Sequence, residues 1–198
     1  MDIVILFPGR GRFDRLQSAD PEPIPQEFFY GMNALATDNH VANFADNRRD
    51  PEGAWPRLHL KWEILRNRVM RYGTSAERVR AVLPELTSND MAISFTDGFS
   101  VSLGRHARAL GATAKLVGGF HGISTFTERT PPTFRAQAEA RTRAGLHGLD
   151  HAFFFGAADR QYAIDTYDLD PARTSLFQFG IDTDFWTPAP DEEDGRDG

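Results

Sequence analysis

His121 stands directly after a predicted buried strand, residues 114–119, in the sequence Gly-Gly-Phe-His-Gly. The glycines around it would leave its imidazole accessible at the end of the strand. An imidazole in that position can hydrogen-bond a sugar hydroxyl or stabilise charge near a reacting centre. We therefore treat His121 as the candidate catalytic residue, against the alternative of a loop histidine whose hydrogen bonds are all internal.

A second candidate site follows the first apolar run of the chain, which continues as Pro-Gly-Arg-Gly-Arg. Gly9 and Gly11 would let the backbone approach a ligand closely, and Arg10 and Arg12 could meet a phosphate. The loop lacks the third glycine of the dinucleotide-binding fingerprint, and Asp46 is only a loose candidate for its acidic residue. The sequence therefore favours a ligand loop or a plain turn over an NAD(P) site.

Asp97 lies between a predicted strand, residues 90–95, and a predicted helix, residues 99–110. Its carboxylate could cap that helix by accepting backbone N–H groups, or it could accept hydrogen bonds from a polar ligand. We predict the cap, alone or together with the ligand contact. Thr96 and Ser100 are weaker candidates of the same kind.

Residues 58–72 have the spacing of an amphipathic helix with a basic side and an apolar side. The apolar side carries Leu58, Trp62, Leu65, Val69 and Tyr72. A basic helix with a tryptophan can lie on an anionic membrane surface. We favour an ordinary surface helix whose apolar side covers the sheet, and the two interpretations agree if only the basic side touches lipid. The candidates for membrane contact are Arg57, Lys61, Arg66, Arg68 and Arg71.

Composition and missing motifs exclude several classes of protein. Without cysteine, the chain has no disulfide, zinc ribbon, iron–sulfur site or thiol catalysis, which fits a cytoplasmic protein. Its formal net charge of −6 argues against a nucleic-acid binder. No apolar run is long enough for a transmembrane helix, and the first residues do not have the pattern of a secretory signal. No metal-ligand cluster, P-loop or nucleophile elbow is present, so we expect no metal and no cofactor.

Short apolar runs alternate with longer amphipathic stretches along the chain. The sequence predicts strands at residues 2–7, 40–45, 90–95, 114–119, 151–155 and 174–179. It predicts helices at residues 26–36, 58–72, 76–83 with Ser75 as cap, 99–110 with Gly111 as stop, 133–147 and 157–167. Strands that alternate with helices are typical of βαβ units. We therefore expect an α/β fold, a Rossmann-like, doubly wound, mainly parallel sheet with helices on both faces and ligands at the carboxyl ends of its strands.

The order of several short motifs resembles the N-terminal domain of family 4 glycosyltransferases, which have the GT-B fold. Residues 174–188 resemble the segment that closes this domain, with Phe179 where the family often has Asn. Residues 152–158 resemble its strand-then-helix element, with Gly156 in place of the usual Ser. Residues 118–121 resemble the strand whose following His faces the cleft. Residues 28–31 resemble the first helix of the family, and Gly9 and Gly11 hold the place of its glycine loop, so the resemblance covers nearly the whole chain.

The resemblance implies that a sugar moves from a nucleotide-sugar donor to a carbohydrate or lipid-linked acceptor, with retention and without a required metal. It implies that His121 faces the active-site cleft. From their types and positions we predict Gly9, Arg10, Gly11 and Asp97 as the residues that bind the acceptor. In such enzymes the N-terminal domain mainly binds the acceptor, and the nucleotide lies against the C-terminal domain. We expect the chain by itself to be inactive, because one domain cannot close a cleft around the donor.

Residues 191–198 are mostly acidic and carry no apolar side chain, which is typical of a linker. We predict a domain over residues 1–188 and an inter-domain linker or tail over residues 189–198, with the missing C-terminal domain as a partner. Two alternatives stay open: a non-catalytic ligand-binding module of the same fold, and half of a sugar-nucleotide epimerase or a phosphorylase. We expect a cytoplasmic protein, with peripheral contact at the inner face of the membrane as a further option.

Overall fold

The computed structural model describes residues 1–8 and 41–178, together with residues 180 and 183. The candidate loop residues Gly9, Arg10 and Gly11 therefore lie outside the described residues, as do the predicted helix at 26–36 and the predicted linker at 189–198. No helix in the described ranges is long and apolar enough to cross a membrane.

Six parallel strands form one sheet in the described part of the chain. They are β1 (Asp2–Phe7), β2 (Val41–Asp46), β3 (Met91–Ser94), β4 (Lys115–Phe120), β5 (His151–Phe154) and β6 (Thr174–Leu176). Their spatial order is β2-β1-β3-β4-β5-β6, so the winding of the chain reverses at β1. The fold is α/β and Rossmann-like with doubly wound topology, as the alternation in the sequence predicts.

Helices connect these strands and flank the sheet. They are α1 (Ala54–Met70), α2 (Ala76–Ala81), α3 (Leu83–Ser88), α4 (Asp97–His106), α5 (Ile123–Phe126), α6 (Pro132–Gly148) and α7 (Ala157–Tyr167). The predicted cap of α2 is confirmed, since Oγ of Ser75 accepts the backbone N–H of Arg78 at 3.2 Å. The predicted stop at Gly111 is also confirmed, where a φ of 97° ends the 3-10 turn that follows α4.

The strand β1 sends its side chains into two separate clusters, as a period of two requires. Val4 and Leu6 join the larger cluster, which includes buried residues of α2, α4, α6 and α7. Ile3, Ile5 and Phe7 join a smaller, aromatic-rich cluster on the opposite face. Burial on both faces explains why this strand reads as a continuous apolar run rather than an alternating one.

Glycine allows α4 and α6 to cross in close contact. A Cβ on Gly104 would overlap the carbonyl oxygen of Gly145, and a Cβ on Gly148 would overlap that of Gly104. Side chains at these positions would hold the helices apart, since the neighbouring atoms are backbone and cannot swing away. The crossing fixes α4, which also packs on β4 and begins at the carboxyl edge of the sheet.

The sequence predicts neither α3 nor α5. The predicted helix over residues 76–83 ends early, because the backbone breaks at Val82 (φ −105°, ψ 10°) and α3 then starts with Pro84 in its first turn. The short α5 is one turn within residues 121–130, which the sequence predicts as a loop. Single turns of helix carry too few residues for a periodic pattern.

The apolar side of α1 is the main correction to the predicted packing. Four side chains expected to cover the sheet are each at least 50% exposed: Leu58, Trp62, Leu65 and Val69. The buried side chains of α1 are Leu60 and Met70. The polar side faces inward beside them, because the Glu63 carboxylate accepts the hydroxyl of Ser75 and Asn67 donates to the carbonyl of Thr74 at 2.7 Å. These hydrogen bonds to the residues just before α2 hold the polar side of α1 inward. The apolar side of α1 therefore faces away from the core.

Candidate functional site

The loops that follow β1, β3 and β4 start from the carboxyl edge of the sheet. Because β1 lies between β2 and β3, this edge contains the point where the winding reverses. In open parallel sheets the reversal leaves a crevice in which ligands bind. The loop after β1 leaves the described residues beyond Pro8. The loops after β3 and β4 carry Asp97 and His121, as predicted.

The carboxylate of Asp97 joins two of these loops. Its Oδ1 accepts the backbone N–H of His121 at 3.0 Å and that of Gly122 at 3.3 Å. The prediction that Asp97 caps α4 is wrong, because Thr96 occupies the N-cap position and no side chain caps this end of the helix. Asp97 instead starts α4 and holds the loop after β4, and this contact positions His121.

Two contacts orient the His121 imidazole. Its Nε2 lies 2.9 Å from the carbonyl oxygen of Phe95, which can only accept, so Nε2 carries the proton in this hydrogen bond. The ring also stacks on Phe155, with centroids 3.9 Å apart and an angle of 11° between the planes. In the neutral imidazole Nδ1 is then the acceptor atom.

Burial raises the pKa of Asp97 above the usual 3.8. The backbone N–H groups of Gly122 and His121, and the positive charge that the His121 ring can carry, lower the pKa of this carboxyl but do not cancel the effect of burial. A carboxyl with a raised pKa at a crevice is typical of functional sites, although structural networks produce the same shift.

A cavity of about 430 Å³ lies at the reversal point. On the sheet side it is lined by residues that follow three neighbouring strands, namely Pro8, Asn47, Thr96 and Gly98. The other walls come from α1, from residues 73–75 and from α2. Asp97 and His121 do not line this cavity. The site therefore has two described parts, the cavity at the reversal point and the His121 loop beyond α4.

The cavity wall contains positive charge without negative charge. Arg48, Arg68 and Arg78 line it, and no carboxylate of the described residues does. Local excess of one sign in a concave surface concentrates the electrostatic field there. The chain as a whole has a formal net charge of −6, so the charge of this arginine cluster is opposite in sign to the net charge.

The five basic candidates on and beside α1 have different surroundings in the structure. Only Arg68 lines the cavity. Arg57 donates to the carbonyl of Pro51 at 3.2 Å, and Arg66 donates to that of Thr74 at 3.3 Å. Lys61 is exposed on α1, and Arg71 ends this helix in the left-handed conformation with a φ of 51°.

An exposed apolar stripe runs along the outer face of α1. Its members, spaced three and four residues apart, are Trp55, Leu58, Trp62, Leu65 and Val69. Trp55 and Trp62 are 71% and 69% exposed. At helical spacing, Arg57, Lys61 and Arg68 fall together along one flank of this stripe. Large exposed apolar patches beside charge are typical of interaction surfaces.

Sequence reasoning misses Arg48, Thr74 and Arg78. Arg48 comes two residues after β2, so attention to the ends of all strands would have found it. Arg78 and Thr74 have no local signal, because the packing of α2 against α4 brings them to the cavity. The structure also extends β2 to Asp46, whose carboxylate accepts the backbone N–H of Arg48 at 2.8 Å.

Within the described ranges, no three histidine, aspartate or glutamate side chains lie close enough together to hold a metal ion. Comparison of the chain with known protein families finds no match, and comparison with curated proteins finds none either.

Proposed function

We propose that this chain is the acceptor-side domain of a glycosyltransferase that moves a sugar from a nucleotide-sugar donor to an acceptor hydroxyl. The order of motifs over nearly the whole chain supports the proposal. The observation that carries it is the Asp97–His121 arrangement, in which one carboxylate fixes the loop that places an imidazole at the carboxyl edge of the sheet. The proposed enzyme needs a second, donor-binding domain and no metal.

The imidazole of His121 suits the acceptor side of this reaction. Its Nε2–H is engaged by the carbonyl of Phe95, so in the neutral ring the acceptor atom is Nδ1. An acceptor hydroxyl that hydrogen-bonds the imidazole would be oriented for attack on the sugar, and partial removal of its proton would make it more nucleophilic. The rigid stacking on Phe155 limits the loss of ring freedom when the acceptor binds.

Peripheral membrane contact is part of this proposal, with an anionic lipid surface as the partner of α1. The stripe from Trp55 to Val69 supplies apolar contact area, and the flanking cations Arg57, Lys61 and Arg68 supply attraction to negative head groups. Tryptophan suits the boundary between head groups and acyl chains. This placement fits a cytoplasmic protein that meets a lipid-linked acceptor at the inner face of the membrane.

A nuclear magnetic resonance titration of the chain tests the acceptor site. The probes are methyl glycosides of glucose, galactose and mannose, and the signals are the His121 imidazole and the backbone amides of residues 96–99 and 121–122. His151, at the amino end of β5, is the internal control, because its imidazole lies at the opposite edge of the sheet. We expect saturable shifts at His121 and none at His151. Absence of shifts at His121 with all three glycosides would contradict the proposal.

A further inference from the structure

Three arginines reach the cavity at the reversal point from three separate parts of the chain. Arg48 comes from the loop after β2, Arg68 from the last turns of α1 and Arg78 from α2. None of the three guanidinium groups has a hydrogen-bond or ion-pair partner among the described residues. Arg49, the residue next to Arg48, by contrast pairs with Glu85 at 2.8 Å. The cavity arginines are therefore available to a ligand.

Another residue of the same wall, Thr74, carries a buried hydroxyl. Thr74 is 2% exposed, and its Oγ1 has no hydrogen-bond partner among the described residues. Buried hydroxyl groups are nearly always paired, because leaving one unpaired costs free energy. Because Thr74 lines the cavity, an oxygen of a ligand bound there can supply the missing partner of this hydroxyl.

Backbone donors complete the wall on the sheet side. Gly98 and Phe99, in the first turn of α4, line the cavity, and no side chain caps this end of the helix. The first N–H groups of a helix lack internal partners and favour a negative charge. Gly98 also permits the close approach of residue 73, since a Cβ at position 98 would overlap the carbonyl oxygen of Gly73. The N-terminus of α4 thus shares one wall with the arginines and the threonine.

We propose that this cavity binds the phosphate group of a phosphate ester. Guanidinium groups bind phosphate oxygens through paired hydrogen bonds, and the absence of described carboxylates leaves a doubly charged anion unopposed. A volume of about 430 Å³ also accommodates a polar group attached to the phosphate. The phosphate would belong to the acceptor, so this inference deepens the proposed function and rests on it for the identity of the ligand.

The test measures binding by calorimetry, with inorganic phosphate and glycerol 3-phosphate as anionic probes and glycerol as the neutral control. We expect both anions to bind at low salt and glycerol not to bind. Arg48→Gln, Arg68→Gln and Arg78→Gln should each weaken glycerol 3-phosphate binding by at least about 10-fold, because each removes a charge-assisted hydrogen bond. Thermal unfolding of each variant confirms that it folds.

Lys115→Gln is the matched control, because it removes one positive charge at the amino end of β4, the opposite edge of the sheet. It should leave the affinity unchanged. Failure of both anions to bind, or an equal loss of affinity in Lys115→Gln, would overturn the proposal. Phosphate binding that depends on the arginines would uphold it even if the chain's proposed role in sugar transfer failed.

Vesicles separate the two sources of such a phosphate. The probes are phosphatidylcholine vesicles with and without phosphatidic acid, and glycerol 3-phosphate serves as the competitor. If the cavity takes a lipid head group, Arg78→Gln weakens binding to the phosphatidic acid vesicles and glycerol 3-phosphate competes with them. If the cavity takes a soluble ester, neither Arg78→Gln nor added glycerol 3-phosphate affects vesicle binding, while glycerol 3-phosphate still binds in calorimetry. Both results uphold the phosphate site. They differ in whether the phosphate belongs to a lipid head group or to a soluble ester.

Discussion

Asp97 and His121 act as one unit, although 24 positions separate them in the sequence. The carboxylate holds the backbone of the loop, and the carbonyl of Phe95 holds the ring that the loop presents. The first contact fixes the backbone of the loop and the second fixes the ring, so the imidazole has a defined position. Such preorganisation is what a group that orients a substrate hydroxyl requires.

Asp97→Asn tests whether burial of the charged Asp97 carboxylate lowers the stability of the protein. A raised pKa in the folded state means that the folded chain holds the Asp97 proton more tightly than the unfolded chain does. The contribution of Asp97 to stability should therefore fall as pH rises from the ordinary Asp value of 3.8 towards and through the raised value, and stay constant well above it. The amide oxygen of Asn can still accept both backbone N–H groups, since both reach Oδ1 in the native protein.

Urea unfolding of both proteins from acidic to neutral pH measures this difference. The wild-type protein should lose stability relative to Asp97→Asn as pH rises through that window. A difference that does not change with pH, or one that changes in favour of the wild-type protein, would show that burial does not penalise the charged carboxylate.

Sequence reasoning at the scale of residues places His121 and Asp97 correctly at the carboxyl edge, because the end of a strand is a local feature. It assigns the wrong partner to Asp97, because the competing N–H groups come from a loop that is remote in sequence. Ser75 follows the simple capping rule, since its partner lies three residues away. Hydrogen-bond partners that are close in sequence can be predicted from it, whereas partners from distant parts of the chain cannot.

The helix α1 shows the same limit at the scale of elements. Its apolar spacing predicts an amphipathic helix, but spacing alone does not tell which of two sides faces the core. The contacts that decide this are polar, from Glu63 and Asn67 to residues 74–77. The consequence is an exposed apolar stripe beside a cavity, with Arg68 of the same helix facing that cavity.

Trp62→Ser tests the membrane contact of α1. We expect the wild-type chain to sediment with phosphatidylglycerol vesicles at low salt and less at high salt, because salt screens the basic flank. Removing the tryptophan should weaken binding on the order of 10-fold, since its apolar area no longer enters the interface. Leu176→Ser, at an exposed apolar position on β6, should bind as the wild type does. Absence of sedimentation at both salt concentrations would refute the membrane contact.

At the scale of the whole molecule, the sheet order explains why the parts of the site meet. The second strand, β2, lies on one side of β1 and the third, β3, lies on the other, so the carboxyl edge of the sheet has a reversal point at β1. The alternation of strands and helices in the sequence predicts this class of fold. It does not predict the cavity, because α2 and residues 73–75 reach it only through packing against α4.

The central claim is that His121 serves sugar transfer and not only the structure of its loop. The direct measurement is the turnover of radiolabelled sugar, from a panel of nucleotide sugars, by a protein that joins this domain to a donor-binding domain. His121→Ala should lower turnover by at least about 100-fold with little loss of thermal stability, as loss of a proton-accepting group does. His151→Ala, which removes an imidazole at the opposite edge, should keep the wild-type rate. Wild-type turnover in His121→Ala, or robust transfer by the 198-residue chain alone, would contradict the account.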